Sequence, residues 1–267
     1  MTDLVDRTRL ARLRSRASAD GMFLQHAAAD EVKDRLNLVN RRFTRPAVVT
    51  GFPDLWREYF PDALIVPDDE LLALEPGTHD LVVHGLALHW ANDPAAQIFQ
   101  CGQALVPDGL FLGVGFAGQT LSELRTVLTE TETRLAGGLS PRVLPMAHIR
   151  DLGAMLQMAG LALPVADSVL RQVRYGDLTA LMRDLRAMGE GNALAERSGW
   201  TRRALFKRAA ECYARKFGEG GRIVATFEMV FLTAWAPHEN QQKPLRPGSA
   251  TARLADALGT VETGLPE

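Results

Sequence analysis

The sequence is short of nearly everything that would mark a catalytic centre at sight. It has two cysteines, Cys101 and Cys212, in separate apolar stretches, so neither a disulfide framework nor a zinc spacing is available. Its six histidines are scattered, and no nucleophile elbow or phosphate loop occurs. No apolar run approaches the roughly 18 residues of a membrane span, and no signal-peptide core follows the start. The formal net charge of −2 gives no reason to expect nucleic acid as a partner. The most consequential shortage is of glycine in one turn. "RPAVVTGFPDLW", residues 45 to 56, reads as a strand running into a helix, where a nucleotide-binding α/β protein keeps a glycine-rich loop. It holds Gly51 alone, with Pro53 and Leu55 where further glycines belong. Proline fixes φ at about −65° and lacks an N–H, so it cannot supply an open, donating turn.

What is present is an ordinary globular composition, 46% hydrophobic and 23% charged over 267 residues, enough for one large domain. At the start, "DRTRLARLRSRAS" carries Arg7, Arg9, Arg12, Arg14 and Arg16, with Leu4, Leu10 and Leu13 on one stripe. This predicts a basic amphipathic helix docked on the domain or on a partner, in a chain expected in the cytoplasm. Residues 22 to 42 read as helix. "AVVT", "ALIV", "DLVVHG" and "VPDGLFLGVGF" follow as strands, separated by helices at "DLWREYF" and at about 94 to 105. Strands alternating with helices argue a parallel sheet covered on both faces. "TLSELRTVLTETETRLAGG" and "AHIRDLGAMLQMAG" are helices closed by glycine. "PVADSVLRQVRY" and "RIVATFEMVFLTAWAP" suit two late strands forming an antiparallel edge around a helical insertion at about 176 to 218. The expected divisions are a helical segment 1 to 43, an α/β domain 44 to 237 and an extended tail 238 to 267.

"HDLVVHGLALHWANDP", "ALVPDGLFLGVGF" and "MLQMAGL" together resemble the class I S-adenosylmethionine (SAM) methyltransferase superfamily. "FAGQTLSELR", "TETRLAGGLSPRVLP", "LMRDLRAMGEGNA" and "GSA" resemble one branch of it, the assembly factor of respiratory complex I and its bacterial homologues. The likeness runs from about residue 20 to about 255. A weaker one is to the methyltransferase that acts on malonyl carrier protein in biotin synthesis. The resemblance implies a Rossmann-like sheet, SAM as cofactor, and a role in complex I maturation through a protein client. The mitochondrial member of the branch is regarded as hydroxylating an arginine of a complex I subunit.

The sequence departs from that pattern twice. The glycine loop is missing, and only about a dozen residues separate "AVVT" from "ALIV". That is enough for one crossover helix, not for helix, strand and second helix. One strand is therefore expected to be absent, the second, together with the acidic residue at its end that holds the ribose. Asp68 or Asp69 is a substitute for it, or else a helix cap or solvated acid. His89 and Trp90 follow the third strand of this chain, at the end where open sheets bind ligands. They are cofactor-binding candidates with Gly51, Asp68 and Asp69, or alternatively a turn cap and a packing anchor. Asn92 and Asp93 are expected to cap the helix that starts at Pro94. Thr120 and Glu123 have capping-box spacing, which leaves Arg125 to face a cleft or partner. Trp200 lies among Arg197, Arg202, Arg203, Lys207 and Arg208, a basic face for an acidic protein surface or anionic lipid head groups. Thr120, Glu123, Arg125 and Trp200 form the substrate or partner set. No residues are assigned to a metal.

Overall fold

The computed structural model describes residues 3–136, 140–197 and 203–241. The chain divides into a unit Met1–Pro237 and a C-terminal unit His238–Glu267. Of the second, 238–241 are described, a turn closed by the Gln241 N–H on the His238 carbonyl. The closing "GSA" lies outside the described residues.

The first unit is one mixed sheet between two layers of helices. Its strands are β1 (Pro46–Thr50), β2 (Leu64–Pro67), β3 (His79–Gly85), β4 (Leu105–Phe116), β5 (Ala162–Tyr175), β6 (Gly218–Glu219) and β7 (Arg222–Trp235). They lie in the order β2-β1-β3-β4-β7-β5, with β6 hairpinned onto β7. The first four are parallel; β7 runs antiparallel between β4 and β5 and makes the antiparallel edge expected from the late strands. The short connection after β1 has the predicted consequence. It holds one helix, α3 (Pro53–Tyr59), and β2 then pairs directly with β1, Ala47 opposite Leu64 through Thr50 opposite Pro67. No strand intervenes.

Alternation along the strands loads both faces. Val48, Leu81, Val83 and Leu112 pack on one side with α2 (Phe23–Leu38), α3, α5 (Ser122–Ala136), α7 (Leu178–Ala187) and α8 (Arg203–Phe217). Ala47, Val49, Val82 and Phe111 pack on the other with α4 (Pro94–Ala104) and α6 (Ile149–Met158). Cys101 and Cys212 are buried free thiols, one in each core. Trp56 of α3 is fully buried and donates its indole N–H to Gln25 at 3.0 Å. Gly85 makes room for that ring, since a Cβ there would lie 2.5 Å from it.

The N-terminus returns across the carboxyl ends of the parallel strands. α1 (Arg7–Arg14) starts at Asp6, whose carboxylate accepts the Arg9 N–H at 2.9 Å. Val5 bridges to Leu194, and Val5 and Leu10 are buried with Trp90, Leu144 and Ala193. Asn92 does not cap α4 as expected. Its amide holds the backbone of Val5, accepting from the N–H at 2.8 Å, while Asp93 alone caps α4 through Ala96.

Candidate functional site at the strand ends

Where β1 and β2 end, Thr50 ties down the turn: its hydroxyl donates to the Gly85 carbonyl and accepts the Phe52 N–H at 3.1 Å. Pro53 then begins α3 in its first turn, where a missing N–H costs nothing. Gly51 is absent from the positive-φ positions, so the turn does not need glycine for its backbone angles. It needs glycine for space. The Arg14 guanidinium of α1 lies against it, and a Cβ on Gly51 would fall 2.3 Å from that group.

Arg14 Nη1 donates to Asp68 Oδ1 at 2.6 Å, and Phe52 lies with its ring centroid 5.7 Å from the guanidinium carbon. Arg7 adds Nη1 to Asp68 Oδ2 at 3.4 Å and Nη2 to the Asp68 carbonyl at 2.5 Å. Both carboxylate oxygens are thus held by arginines. Burial by itself would raise the Asp68 pKa, but Arg14 and then Arg7 bring it down to about 2. Asp69 stays exposed, 3.9 Å from Arg7. Behind them, fully buried His84 bonds Gln97 at 2.9 Å, and the Gln97 amide donates to the carbonyls of Asp68 and Asp69. Burial lowers the His84 pKa. A cavity of about 780 Å³ remains beside this ion pair, lined by Arg7, Arg14, Thr50, Gly51, Phe52 and Asp68.

A second pocket, about 370 Å³, lies on the other side of α1, with walls that include Leu13, Trp90, Phe116, Leu128, Met146 and Phe227. Trp90 and His89 sit in a 3-10 turn after β3, and both reach Glu190 beyond α7. Trp90 Nε1 donates to Glu190 Oε2 at 2.7 Å, and His89 Nε2 lies 3.2 Å from the same oxygen. The Phe116 N–H points at His89 Nδ1, 3.4 Å away, which leaves the ring proton on Nε2.

The structure therefore sets Gly51, Asp68 and Asp69 on one cavity and Trp90 on the other. Thr120 and Glu123 do not form a capping box. Thr120 exchanges hydrogen bonds with the Glu228 backbone, and the buried Glu123 carboxylate accepts the Thr226 N–H and hydroxyl. β7 competes for these groups, and α5 begins later, at Ser122. Arg125 donates to the carbonyls of Gly118 and Thr120. Trp200 and Arg202 lie outside the described residues; Arg203, Lys207 and Arg208 are exposed on α8, and Arg197 pairs with Asp6 at 3.5 Å. Among the described residues no cluster of three metal-ligating side chains occurs, and no helix is long and apolar enough to cross a membrane. Sequence reading missed Arg14, Arg7 and Glu190. The arginines were visible only as a helix face, and Glu190 only inside "MGEGNA".

No protein-family model matches the chain. It is 37% identical over 202 residues to "Arginine-hydroxylase NDUFAF5, mitochondrial" of Danio rerio, an alignment covering 73% of this chain and 61% of that protein. It is 34% identical over 187 residues to "Malonyl-[acyl-carrier protein] O-methyltransferase" of Laribacter hongkongensis, covering 70% and 61%. The chain thus spans about three fifths of the length of these curated relatives. Among solved structures, the YcgJ protein of Bacillus subtilis superposes with a TM-score of 0.50 at 11% identity, over 80% of this chain and 99% of that one, a likeness of fold. With this sheet and these homologues, the chain belongs to the class I SAM methyltransferase superfamily, alongside the mitochondrial arginine-hydroxylase.

Proposed function

We propose that the chain is a methyltransferase-fold protein with a degenerate SAM site that serves respiratory complex I assembly by binding or modifying a client subunit. The observation that carries the first half is Arg14. SAM is cationic at its sulfonium and ammonium groups, and it needs open backbone and a free carboxylate at the ends of β1 and β2. Here a guanidinium covers Gly51, a second one lies beside it, and both oxygens of Asp68 are taken. The residues present do not fit SAM while α1 is docked, and no chemical step is derived through it.

The second half rests on the homologues. The client side chain is proposed to be arginine, after the relative's printed name, and the compartment the cytoplasm, with fractionation as its check because that relative is mitochondrial. A second reading, an active SAM-dependent methyltransferase or hydroxylase of a protein side chain, has the cavity of about 780 Å³ beside Arg14 in its favour. Deleting the gene is expected to lower assembled complex I, measured by native gel and NADH oxidation in membranes. A Pro53→Gly copy should restore it, since the proposed role does not use a cofactor loop. Normal complex I without the protein would contradict the assembly role.

A further inference from the structure

The pocket of about 370 Å³ has apolar walls, arginines and a single carboxylate, that of Glu190. Its side chain is one-tenth exposed. Two hydrogen bonds converge on Oε2, from Trp90 and His89, whereas Oε1 accepts none from the described residues. A carboxylate in such surroundings is costly to bury without a cationic partner. Among the described residues no arginine or lysine pairs with it.

Two further features say what would complete it. The pocket walls include the aromatic rings of Trp90, Phe116 and Phe227, and the faces of such rings favour a flat cation. A guanidinium suits this better than an ammonium, because it is planar, weakly hydrated and donates in a fixed fork to carboxylate. Four arginines line the same pocket: Arg9 is held by the Asn192 carbonyl and Arg142 by Glu132, whereas Arg16 and Arg186 are exposed, with no ion pair among the described residues. They would oppose a basic segment and favour an acidic one. The combination selects an arginine carried in an acidic stretch of chain.

We infer that Glu190 is the residue that reads the client's arginine, its Oε1 accepting the guanidinium, and that Arg16 and Arg186 choose acidic residues on either side. This rests on the client reading above. It adds the residue that confers specificity and the chemistry of the flanks. Glu190 is a reader here, and the inference assigns it no bond-making step.

The test is calorimetry on the purified full chain with three capped pentapeptides: Asp-Ala-Arg-Ala-Asp, its citrulline counterpart, and Lys-Ala-Arg-Ala-Lys. Citrulline keeps the shape of arginine and removes the charge. The acidic arginine peptide should bind at least tenfold tighter than either control. Glu190→Gln should abolish the preference for arginine over citrulline, and Met182→Trp, which puts a larger ring at a residue lining the pocket, should abolish binding. Melting curves show whether each variant is folded. Equal binding of arginine and citrulline, an unchanged preference in a folded Glu190→Gln, or no binding of the acidic arginine peptide at millimolar concentration overturns the inference. Complex I separates the two failures. A Glu190→Gln copy that fully restores complex I in the deletion strain overturns the Glu190 assignment alone, whereas normal complex I in that strain overturns the client role on which it rests.

Discussion

At the scale of single residues, the site turns on three residues brought together from distant parts of the chain. Gly51 gives the guanidinium of Arg14 a flat surface, and Asp68 gives it a counter-ion. If that is why position 51 is glycine, Gly51→Ala should cost about 1–2 kcal/mol in the intact chain and almost nothing in an Arg14→Ala background. Urea melts of the four combinations measure the coupling. Asp68 makes a second prediction, through pH. Burial opposes its ionisation, and the two arginines more than compensate, so its folded pKa, about 2, lies below the ordinary 3.8. A depressed carboxylate pKa contributes stability that is present above the unfolded value and lost as pH falls through the folded one. The contribution is on the order of 2 kcal/mol. Asp68→Asn should therefore be destabilised most at neutral pH, with the gap from wild type starting to close below about pH 4. A gap independent of pH would contradict the pairing. Asp68 was legible in advance as an acid at a strand end. Arg14 was not, because its partner is 54 residues away and sequence periodicity carries no information on contacts across such a distance.

At the scale of elements, α1 decides whether the cleft is closed. The helix is only eight residues long, too short to persist alone, and it holds its place through Leu10, Val5 and the arginine pairs. Leu10→Ala removes a side chain that is 1% exposed and should cost about 2–4 kcal/mol if α1 stays docked. If it detaches instead, the loss will be smaller and trypsin will cut at Arg12, Arg14 and Arg16 without unfolding the domain. Limited proteolysis tells these apart, and an α1 that is cut as fast in wild type as in the variant would show that it does not cover the cleft. The strands themselves were legible. Unbroken apolar runs such as "AVV" and "LVV", in strands that alternate with helices, are the pattern of a sheet covered on both faces, and the count of residues after β1 left room for one helix. The start of α5 was not legible: Thr120 and Glu123 carry the spacing of a capping box, but the neighbouring β7 offers Thr226 and Glu228, and the tertiary partner won.

At the scale of the whole molecule, the fold has kept the architecture of its superfamily while losing the strand between β1 and β2. Open α/β sheets bind ligands outside the carboxyl ends of their strands, and this chain lays its own α1 across that edge. One face of the helix sets Arg7 and Arg14 beside Asp68 on the larger cavity, and its other face walls the pocket that holds Glu190. If Arg14 closes the cofactor cleft as proposed, the purified chain does not bind SAM, and equilibrium binding measures this. A ligand at 100 times its dissociation constant would stabilise the fold by about 2.7 kcal/mol, so a working site would appear both in calorimetry and in a thermal shift. Neither heat of binding nor a shift is expected at millimolar SAM. Binding in the micromolar range to the wild-type chain would contradict that closure.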